Sequence, residues 1–450
     1  MNANYQKDGT DLVIRGRMLA RGSVQHRTVR IRGGLISEVL DGELARGRSP
    51  EVKTLDLKED QILVPAAVDA LSAMRDWGEH LRDTVETVTK AALSAGVTVV
   101  CDQPNTMPRI NTPELIRKRS ELCAEHSYTD FGISAHPPVE PSRIGEYRDA
   151  GALSLTLFTW DLRPWNEPRD TDDSTARFQQ YAKLGLQATI FVDEHALRET
   201  TLKEESETYA LEALLRRLVP DLHCRLYVTL PESVERIRSA KDRLPNVQAQ
   251  TAPWWLLISR ESAYAKIGSA AFMTPPLRSQ PATDRMRALA AEGALDIVIS
   301  HHCPHRTVDK YSAEPRPGEF TPKAGYSTMD YTFPLLLTRL GIEQACRLYC
   351  ENPARALGLK KGLIAPGYEA DLAVLQTAPE LSAAENVHVR GEVVADPWRV
   401  DPSDFHSKAI VTPFIGDRLQ YRVIKTFIRG EEAFDRATMR FTRCAVRQLR

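Results

Sequence analysis

The spacing of hydrophobic and polar positions changes twice along the chain. Residues before about 61 form short alternating runs separated by Gly-containing turns, as in DLVIRGRMLA and HRTVRIRGGLISEVL. Alternation with a period of two is typical of strands that bury one face. After about residue 364 the same pattern returns in DLAVLQ, AIVTP and YRVIKTFIRG. We therefore expect one small β-sandwich domain built from both ends of the chain.

The middle of the chain has a different pattern, in which apolar β-branched runs alternate with helical segments. The runs are ILVP (62–65), GVTVVC (96–101), YTDFGISA (128–135), ALSLTLF (152–158), LQATIFV (186–192), CRLYVTL (224–230), NVQAQTA (246–252) and LDIVIS (295–300). Strand–helix repetition predicts a parallel sheet of the α/β class, and about eight repeats predict a (β/α)8 TIM barrel. The expected domains are residues 1–61 and 364–450 for the β-domain and 62–363 for the barrel.

Composition and charge exclude several functional classes. Apolar residues make up 42% of the chain, charged residues 26%, and the formal net charge is −1. This balance gives no electrostatic basis for binding nucleic acid or an acidic membrane. No apolar run reaches the roughly 18 residues that a spanning helix needs. Seven cysteines without a CxxC pair fit a reducing compartment, so we expect a cytoplasmic protein.

The segment VDALSAMRDWG, residues 68–78, lies where a barrel strand is expected to end. Catalytic groups of TIM-barrel enzymes usually lie just past the carboxyl ends of the strands. Here that position carries apolar side chains, including Leu71 and Ala73, and the charged residues are Arg75 and Asp76. The segment has the position of an active-site loop without the usual chemistry.

Seven motifs in the correct order resemble the dihydroorotases of the amidohydrolase superfamily. They are ILVPAAVDALSAMRD, AALSAGVTVVCDQPNTMP, TPPLRS (274–279), SHHCPH (300–305), NPARALGL…KGLIAPGYEADLAVL (352–375), TPFIG (412–416) and YRVIKTFIRG. The resemblance covers nearly the whole chain and implies the amidohydrolase type of barrel. Active members of that family hydrolyse or close a cyclic amide with one or two zinc ions, which polarise the carbonyl and activate water.

The resemblance also implies where zinc ligands would stand, and this chain has other residues there. The positions hold Leu71 and Ala73 on the first strand, Thr156 (Leu157 in another register) on the fourth, Phe191 on the fifth, Tyr227 (Leu226 in another register) on the sixth, and His301 on the eighth. Trp254 and Trp255 replace a pair that is usually histidine. Since zinc affinity requires several ligands acting together, we expect no zinc cofactor, no metal site and no catalytic residue at these positions.

Three positions match residues that hold the substrate carboxylate in the family, namely Arg75, Asn105 and His305. A guanidinium, an amide and an imidazole can all hydrogen-bond to a carboxylate. They predict a relic substrate pocket for a small carboxylate ligand, although Arg75 and Asn105 would equally well brace loops. Thr274 stands in the position of a family asparagine, which weakens the pocket.

Two other groups of polar residues are candidates for new chemistry. The histidines and cysteine of SHHCPH are capable of binding metal, but adjacent strand residues such as His301 and His302 point to opposite faces. Metal-free acid–base catalysis or a plain solvated loop are the alternatives for Asp161, Asp193, Glu194 and His195.

Three hypotheses about function follow. The main one is a catalytically inactive dihydroorotase-like subunit, because the resemblance includes inactive homologues that associate with aspartate transcarbamoylase catalytic chains in pyrimidine biosynthesis. Such a chain would act in a homo- or hetero-oligomer. The alternatives are a divergent active cyclic amidohydrolase and a small-acid binding module that uses the relic pocket.

Overall fold

Seventeen strands in the described part of the chain form two sheets. The computed structural model describes residues 12–42, 52–138, 140–159, 173–192, 203–311, 322–378 and 398–450. The first five strands are β1 Leu12–Ala20, β2 Ser23–Arg32, β3 Leu35–Asp41, β4 Lys53–Asp56 and β5 Gln61–Pro65. The next eight are β6 Ala67–Ser72, β7 Val97–Asp102, β8 Asp130–Ala135, β9 Ser154–Phe158, β10 Gln187–Phe191, β11 Cys224–Tyr227, β12 Val247–Thr251 and β13 Ile297–Val298. The last four are β14 Leu372–Thr377, β15 Tyr421–Ile428, β16 Glu431–Asp435 and β17 Arg440–Phe441.

Helices lie between the barrel strands, and the last four of them follow the final barrel strand β13. They are α1 Val85–Ser94, α2 Pro113–His126, α3 Ile144–Asp149, α4 Asp173–Lys183, α5 Lys203–Arg217, α6 Pro231–Ala240, α7 Pro253–Leu257, α8 Arg260–Ile267, α9 Gln280–Ala291, α10 Thr307–Tyr311, α11 Thr332–Leu340, α12 Ile342–Cys346 and α13 Asn352–Ala356. Sequence signals set their ends: Thr84 and Thr87 form a capping box at α1, and Thr112 caps α2 ahead of Pro113. Within the described ranges, no helix has the length and apolar character needed to cross a bilayer.

Strands β6–β13 form the predicted barrel. They pair in chain order, and each neighbouring pair is parallel. The last and first strand ends are tied together by Ala73, whose N–H donates to the His302 carbonyl over 2.8 Å. The Ser300 N–H also donates to the Asp69 carboxylate over 2.9 Å. Burial raises the pKa of Asp69 to about 7 although Ser300 favours its charged form.

The second sheet confirms that the two ends of the chain build one β-rich domain. Its strand order is β17-β16-β15-β14-β5-β1-β2-β3, with β4 paired to β1. Strand β5 joins this sheet by pairing with β14 and β1, whereas the boundary expected at 61/62 places its ILVP run in the barrel. The run is apolar because β5 is buried within the sheet, and the first barrel strand is β6.

The expected strand AIVTP, residues 409–413, is absent from the structure. Its backbone binds a barrel loop instead of a strand, since the Val411 carbonyl accepts the N–H of Ser327 over 3.0 Å. The Thr412 hydroxyl also pairs with Tyr331. The β-branched residues of this segment therefore cover the barrel and do not extend the sheet.

A buried ion network links β8 of the barrel to the terminal sheet. The Lys361 ammonium lies 3.0 Å from Asp130 and 2.9 Å from Glu369, and it also binds Asp371. Arg429, just after β15, pairs with Asp130 at 2.7 Å. Burial by itself lowers the pKa of Lys361, but the three carboxylates outweigh burial and raise it. Charges from both domains thus neutralise one another out of water.

We predict that Lys361→Met destabilises the chain by about 3–5 kcal/mol, because it leaves buried carboxylates without their cation. Urea unfolding followed by circular dichroism measures this loss. Lys90→Met is the matched control, since Lys90 and Glu86 form a solvated helix pair whose loss costs less than about 1 kcal/mol. Equal effects of the two substitutions would contradict the prediction.

Candidate functional site at the barrel mouth

The loop after β6 is held in an uncommon backbone conformation. Its three consecutive residues Arg75–Trp77 have φ of 56°, 73° and 47°. Such left-handed positions cost about 1–3 kcal/mol each and persist where surrounding contacts enforce them. Asp102 at the end of β7 accepts the Met74 N–H over 2.9 Å, and the Asp76 N–H donates to the Asp83 carbonyl over 3.1 Å. The mouth therefore keeps the constrained geometry of a functional loop.

The six positions that the family resemblance assigns to zinc ligands gather at this mouth. Five of them line one small cavity: Leu71, Ala73, Thr156, Phe191 and His301. The sixth, Tyr227, is buried and hydrogen-bonds to His301. The residues assigned to these positions from the sequence are therefore neighbours in space. Of the two registers considered on each strand, Thr156 and Tyr227 are the ones that make these contacts.

Aromatic rings pack against one another across the centre of the mouth. The centroid distances are 4.9 Å for Phe158–Phe191, 4.8 Å for Phe191–Tyr227, 4.9 Å for Tyr227–His301, 5.3 Å for Trp254–His301, 5.3 Å for Trp254–Trp255 and 5.3 Å for Trp254–Tyr326. These separations are in the range of favourable aromatic pairs. We call these seven rings the aromatic cluster: Phe158, Phe191, Tyr227, Trp254, Trp255, His301 and Tyr326.

His301 is the one imidazole of the aromatic cluster, and it is held neutral. Burial, reinforced by the charge of Arg75, lowers its pKa to about 3. Burial also raises the pKa of Tyr227, so that phenol is protonated and donates to His301 Nδ1. The remaining proton of the neutral ring then belongs on Nε2. His301 therefore offers the cavity a hydrogen-bond donor rather than a lone pair for a metal.

The residues present do not fit the zinc site that the family resemblance implies. A catalytic zinc needs at least three nitrogen, sulfur or oxygen ligands that converge on one point. Here the positions supply two aliphatic side chains, a phenyl ring, a hydroxyl, a phenol and one imidazole whose Nδ1 is engaged. Within the described ranges, no group of three or more His, Cys, Asp or Glu side chains is arranged to hold a metal ion.

His302 faces away from His301 and has a structural role. Its Nδ1 accepts N–H groups from Thr328 at 3.0 Å and Met329 at 3.2 Å, so Nε2 carries the proton. Nε2 donates to the Asp83 carboxylate over 3.1 Å. The side chain is fully buried, and these contacts anchor the end of the last barrel strand.

The residues that the sequence predicts to bind a carboxylate are engaged with the chain itself. The Arg75 guanidinium donates to the Glu79 carboxylate at 3.1 Å, to the Asn105 carbonyl at 3.2 Å and to Cys303 Sγ at 3.1 Å. His305 Nε2 donates to the Ala324 carbonyl over 2.9 Å. Burial lowers the pKa of His305 well below its usual value. Glu79 therefore supplies internally the carboxylate that a ligand would otherwise bring to Arg75.

A cavity of about 40 Å³ remains at the mouth, room for a few water molecules. Its walls are Leu71, Ala73, Gln103, Pro104, Asn105, His136, Thr156, Phe158, Phe191, His301 and Cys303. Gln103 accepts a hydrogen bond from Thr156 over 2.9 Å, while its buried Nε2 has no partner among the described residues. Burial, aided by Arg109, lowers the pKa of His136 to about 4. The cavity is therefore small, and both of its imidazoles, His136 and His301, are held neutral.

Sequence reasoning missed several residues of this site. Glu79 stands four residues after Arg75, a spacing at which ion pairs commonly form, so its role was detectable. Gln103 and Phe158 lie at or just past strand ends, the position that barrel sites use. Cys303 was not missed as a candidate, since it belongs to the metal-capable group in SHHCPH, but its contact with Arg75 was not predicted. The candidates Asp161, Asp193, Glu194 and His195 fall outside the described residues.

Comparison with known proteins agrees with this geometry. Residues 277–433 match the model of the family described as "Amidohydrolase family". The dihydroorotase of Thermococcus kodakarensis is 27% identical over 428 residues, which cover 93% of each chain. The dihydroorotase of Anaeromyxobacter sp. is 29% identical over 435 residues, 90% of this chain and 92% of the relative. The L-hydantoinase (dihydropyrimidinase) of Arthrobacter aurescens has a TM-score of 0.81 at 20% identity, covering 98% and 99% of the two chains.

The barrel and the terminal sheet share the fold of that hydantoinase, and the sequence is similar to proteins of the amidohydrolase type. Among such proteins its sequence relatives are dihydroorotases, so the chain is dihydroorotase-like.

We predict that His301 contributes to acid sensitivity. The unfolded chain binds a proton near the usual pKa of 6.5, whereas the folded chain does so only near pH 3. The contribution of neutral His301 to the free energy of unfolding is therefore complete above about pH 6.5 and is lost as the pH falls. Between about pH 7 and about pH 5, His301→Gln should lose about 1–2 kcal/mol less stability than the wild type.

Urea unfolding at the two pH values measures the difference. His26→Gln is the matched control for replacing an exposed imidazole on β2. An identical pH dependence of His301→Gln and the wild type would show that His301 is not held neutral.

Proposed function

We propose that this chain is a non-catalytic dihydroorotase-like subunit that assembles with aspartate transcarbamoylase catalytic chains. The observation that carries the proposal is the replacement of the zinc-ligand set by packed side chains at Leu71, Ala73, Thr156, Phe191 and Tyr227. Hydrolysis of a cyclic amide at neutral pH requires an activated water and stabilisation of the developing oxyanion. Among the residues that the structure describes, the mouth supplies neither a metal-ligand set nor a free general base at its centre.

Packing energetics support the loss of chemistry at this point. Removing ligands without replacement would leave a void, and the penalty grows by about 24 cal/mol per Å³ of cavity. Phe191 and Tyr227 fill the space, with ring centroids 4.8 Å apart, and about 40 Å³ remains. Filling the site in this way stabilises the fold and does not require that the reaction be retained.

Ligand binding at the relic pocket receives less support than assembly. Arg75 is buried and already paired with Glu79, so a ligand carboxylate would have to displace an internal one. Glu79 is also paired with Arg82, which stabilises it in place. The exchange offers no net gain of ion pairs.

An apolar surface beside the mouth suits a protein partner. Leu81 is 62% exposed, Met107 65% and Val308 57%. Their segments, two loops and helix α10, adjoin one another. The Gly78 N–H donates to the Met107 carbonyl over 3.0 Å, and an ion pair of 3.4 Å joins the residues that follow Leu81 and Val308. Large exposed apolar side chains on adjoining segments are typical of interaction sites. We call Leu81, Met107 and Val308 the mouth patch.

We predict that the purified chain, expressed with zinc in the medium, contains far less than one zinc per chain and does not interconvert carbamoyl-aspartate and dihydroorotate. Too few ligands converge to hold the ion. Metal analysis by plasma mass spectrometry and a coupled assay measure both. An active dihydroorotase prepared in parallel is the positive control. About one zinc per chain together with turnover would refute the non-catalytic proposal.

We also predict co-elution with the aspartate transcarbamoylase of the same cell at micromolar concentration. Leu81→Glu together with Met107→Glu should weaken the complex at least about tenfold, because charges in an interface core oppose burial. Met439→Glu is the matched control, since Met439 is 51% exposed on the β16–β17 connection. Analytical ultracentrifugation measures the affinity, and separate sedimentation of the wild-type chains would remove the assembly role.

A further inference from the structure

Cys303 differs in exposure from every other cysteine. All seven cysteines lie in the described part of the chain, and six of them are buried, whereas Cys303 is half-buried. It also lines the cavity at the barrel mouth. A reagent that enters the cavity therefore meets this sulfur first.

Arg75 donates a charged hydrogen bond to the Cys303 sulfur at 3.1 Å. Negative charge on sulfur is stabilised by a neighbouring guanidinium, and the thiolate is the nucleophilic form of cysteine. His305 Nε2 is 3.8 Å from the sulfur, but that nitrogen carries a proton and donates to the Ala324 carbonyl. His305 is therefore no base for Cys303, and the pair is not a hydrolase dyad.

Gln103 provides a second and independent indication of a ligand in this cavity. It is 4% exposed, and its Nε2 donor has no partner among the described residues although it lines the cavity. A buried donor without a partner costs about 1–3 kcal/mol, so an oxygen atom placed in the cavity would be stabilised by it. The volume of about 40 Å³ admits a molecule of a few heavy atoms.

The room next to the sulfur is fixed by the neighbouring loop. Gly325 has φ of 133°, and a Cβ there would lie 2.8 Å from Cys303 Sγ and 2.5 Å from the Cys303 carbonyl oxygen. A side chain at position 325 would therefore collide with Cys303. The glycine loop packs directly against this residue and limits the space in which its sulfur can move.

We propose that Cys303 is a peroxide-modification site of this protein. The thiolate sulfur attacks one oxygen of hydrogen peroxide, an S–O bond forms and the O–O bond breaks. Sulfur is oxidised by two electrons to the sulfenic acid, and the peroxide is reduced; the leaving hydroxide takes a proton from solvent to become water. Arg75 stabilises the attacking thiolate, and the Gln103 amide is placed to donate to the incoming oxygen. The site is independent of any amidohydrolase activity.

The test treats the purified full-length chain with hydrogen peroxide in the presence of dimedone and quantifies each cysteine peptide by mass spectrometry. We expect labelling concentrated at Cys303, at a rate at least about tenfold above that of the same cysteine in the urea-unfolded chain. This comparison needs no variant. A native rate equal to or below the unfolded rate would overturn the proposal.

Variants separate the contributions of the site. Cys303→Ser should abolish the label, and Cys444→Ser, which removes a buried cysteine 6% exposed, should leave it unchanged. Arg75→Met should slow labelling about tenfold, while Glu79 retains its pair with Arg82 and the fold is checked by circular dichroism. Full labelling speed in a folded Arg75→Met chain would contradict the role of the guanidinium.

The size of the cavity gives a final criterion. Cumene hydroperoxide should label Cys303 at least about tenfold more slowly than hydrogen peroxide, after both rates are normalised to free cysteine, because the cavity admits only small molecules. Equal normalised rates would show that the thiol reacts from the open surface, which would overturn the assignment of the cavity as the site.

Discussion

Close packing where eight parallel strands converge is the constraint on which the rest of the barrel mouth depends. Each strand end directs a side chain toward the same small volume, and an interior of this density does not tolerate a large void. In this chain the aromatic cluster meets the constraint, with Phe191 in contact with Phe158, Tyr227 and His301. This packing buries His301, which keeps its imidazole neutral, and it leaves only a small cavity at the mouth. Beside that cavity, Arg75 is paired with Glu79.

The mouth combines a constrained backbone with mostly apolar and aromatic side chains. The left-handed residues Arg75–Trp77 and the left-handed His301, with φ of 45°, retain the shape of a loop that presents side chains to a ligand. Strain of this kind persists only when neighbouring contacts enforce it, here through Asp102 and Asp83. Backbone shape and side-chain chemistry are separable properties, which is why one fold hosts both reactive and unreactive sites.

Two polar side chains at the mouth, Arg75 and His301, have partners within the chain itself. Glu79 neutralises Arg75, and Tyr227 occupies His301 Nδ1. Buried charges and donors must be paired, and these contacts supply their partners from within the chain. Cys303 and Gln103 are less fully engaged. The sulfur of Cys303 lines the cavity, and the Gln103 amide retains a donor without a partner among the described residues. The cavity therefore presents one half-buried thiol and one unpaired donor to whatever enters it.

The sequence by itself determined the barrel and the β-domain, because strand periodicity and motif order are local properties that survive at 27% identity. It also determined which residues stand at the positions that the family resemblance assigns to zinc ligands, such as Leu71 and Phe191. Only the tertiary structure decided that β5 joins the terminal sheet, that Arg75 is already paired, and that Cys303 shares a cavity with Gln103. These contacts join residues far apart in the chain, and their geometry depends on how helices and loops pack rather than on any local pattern.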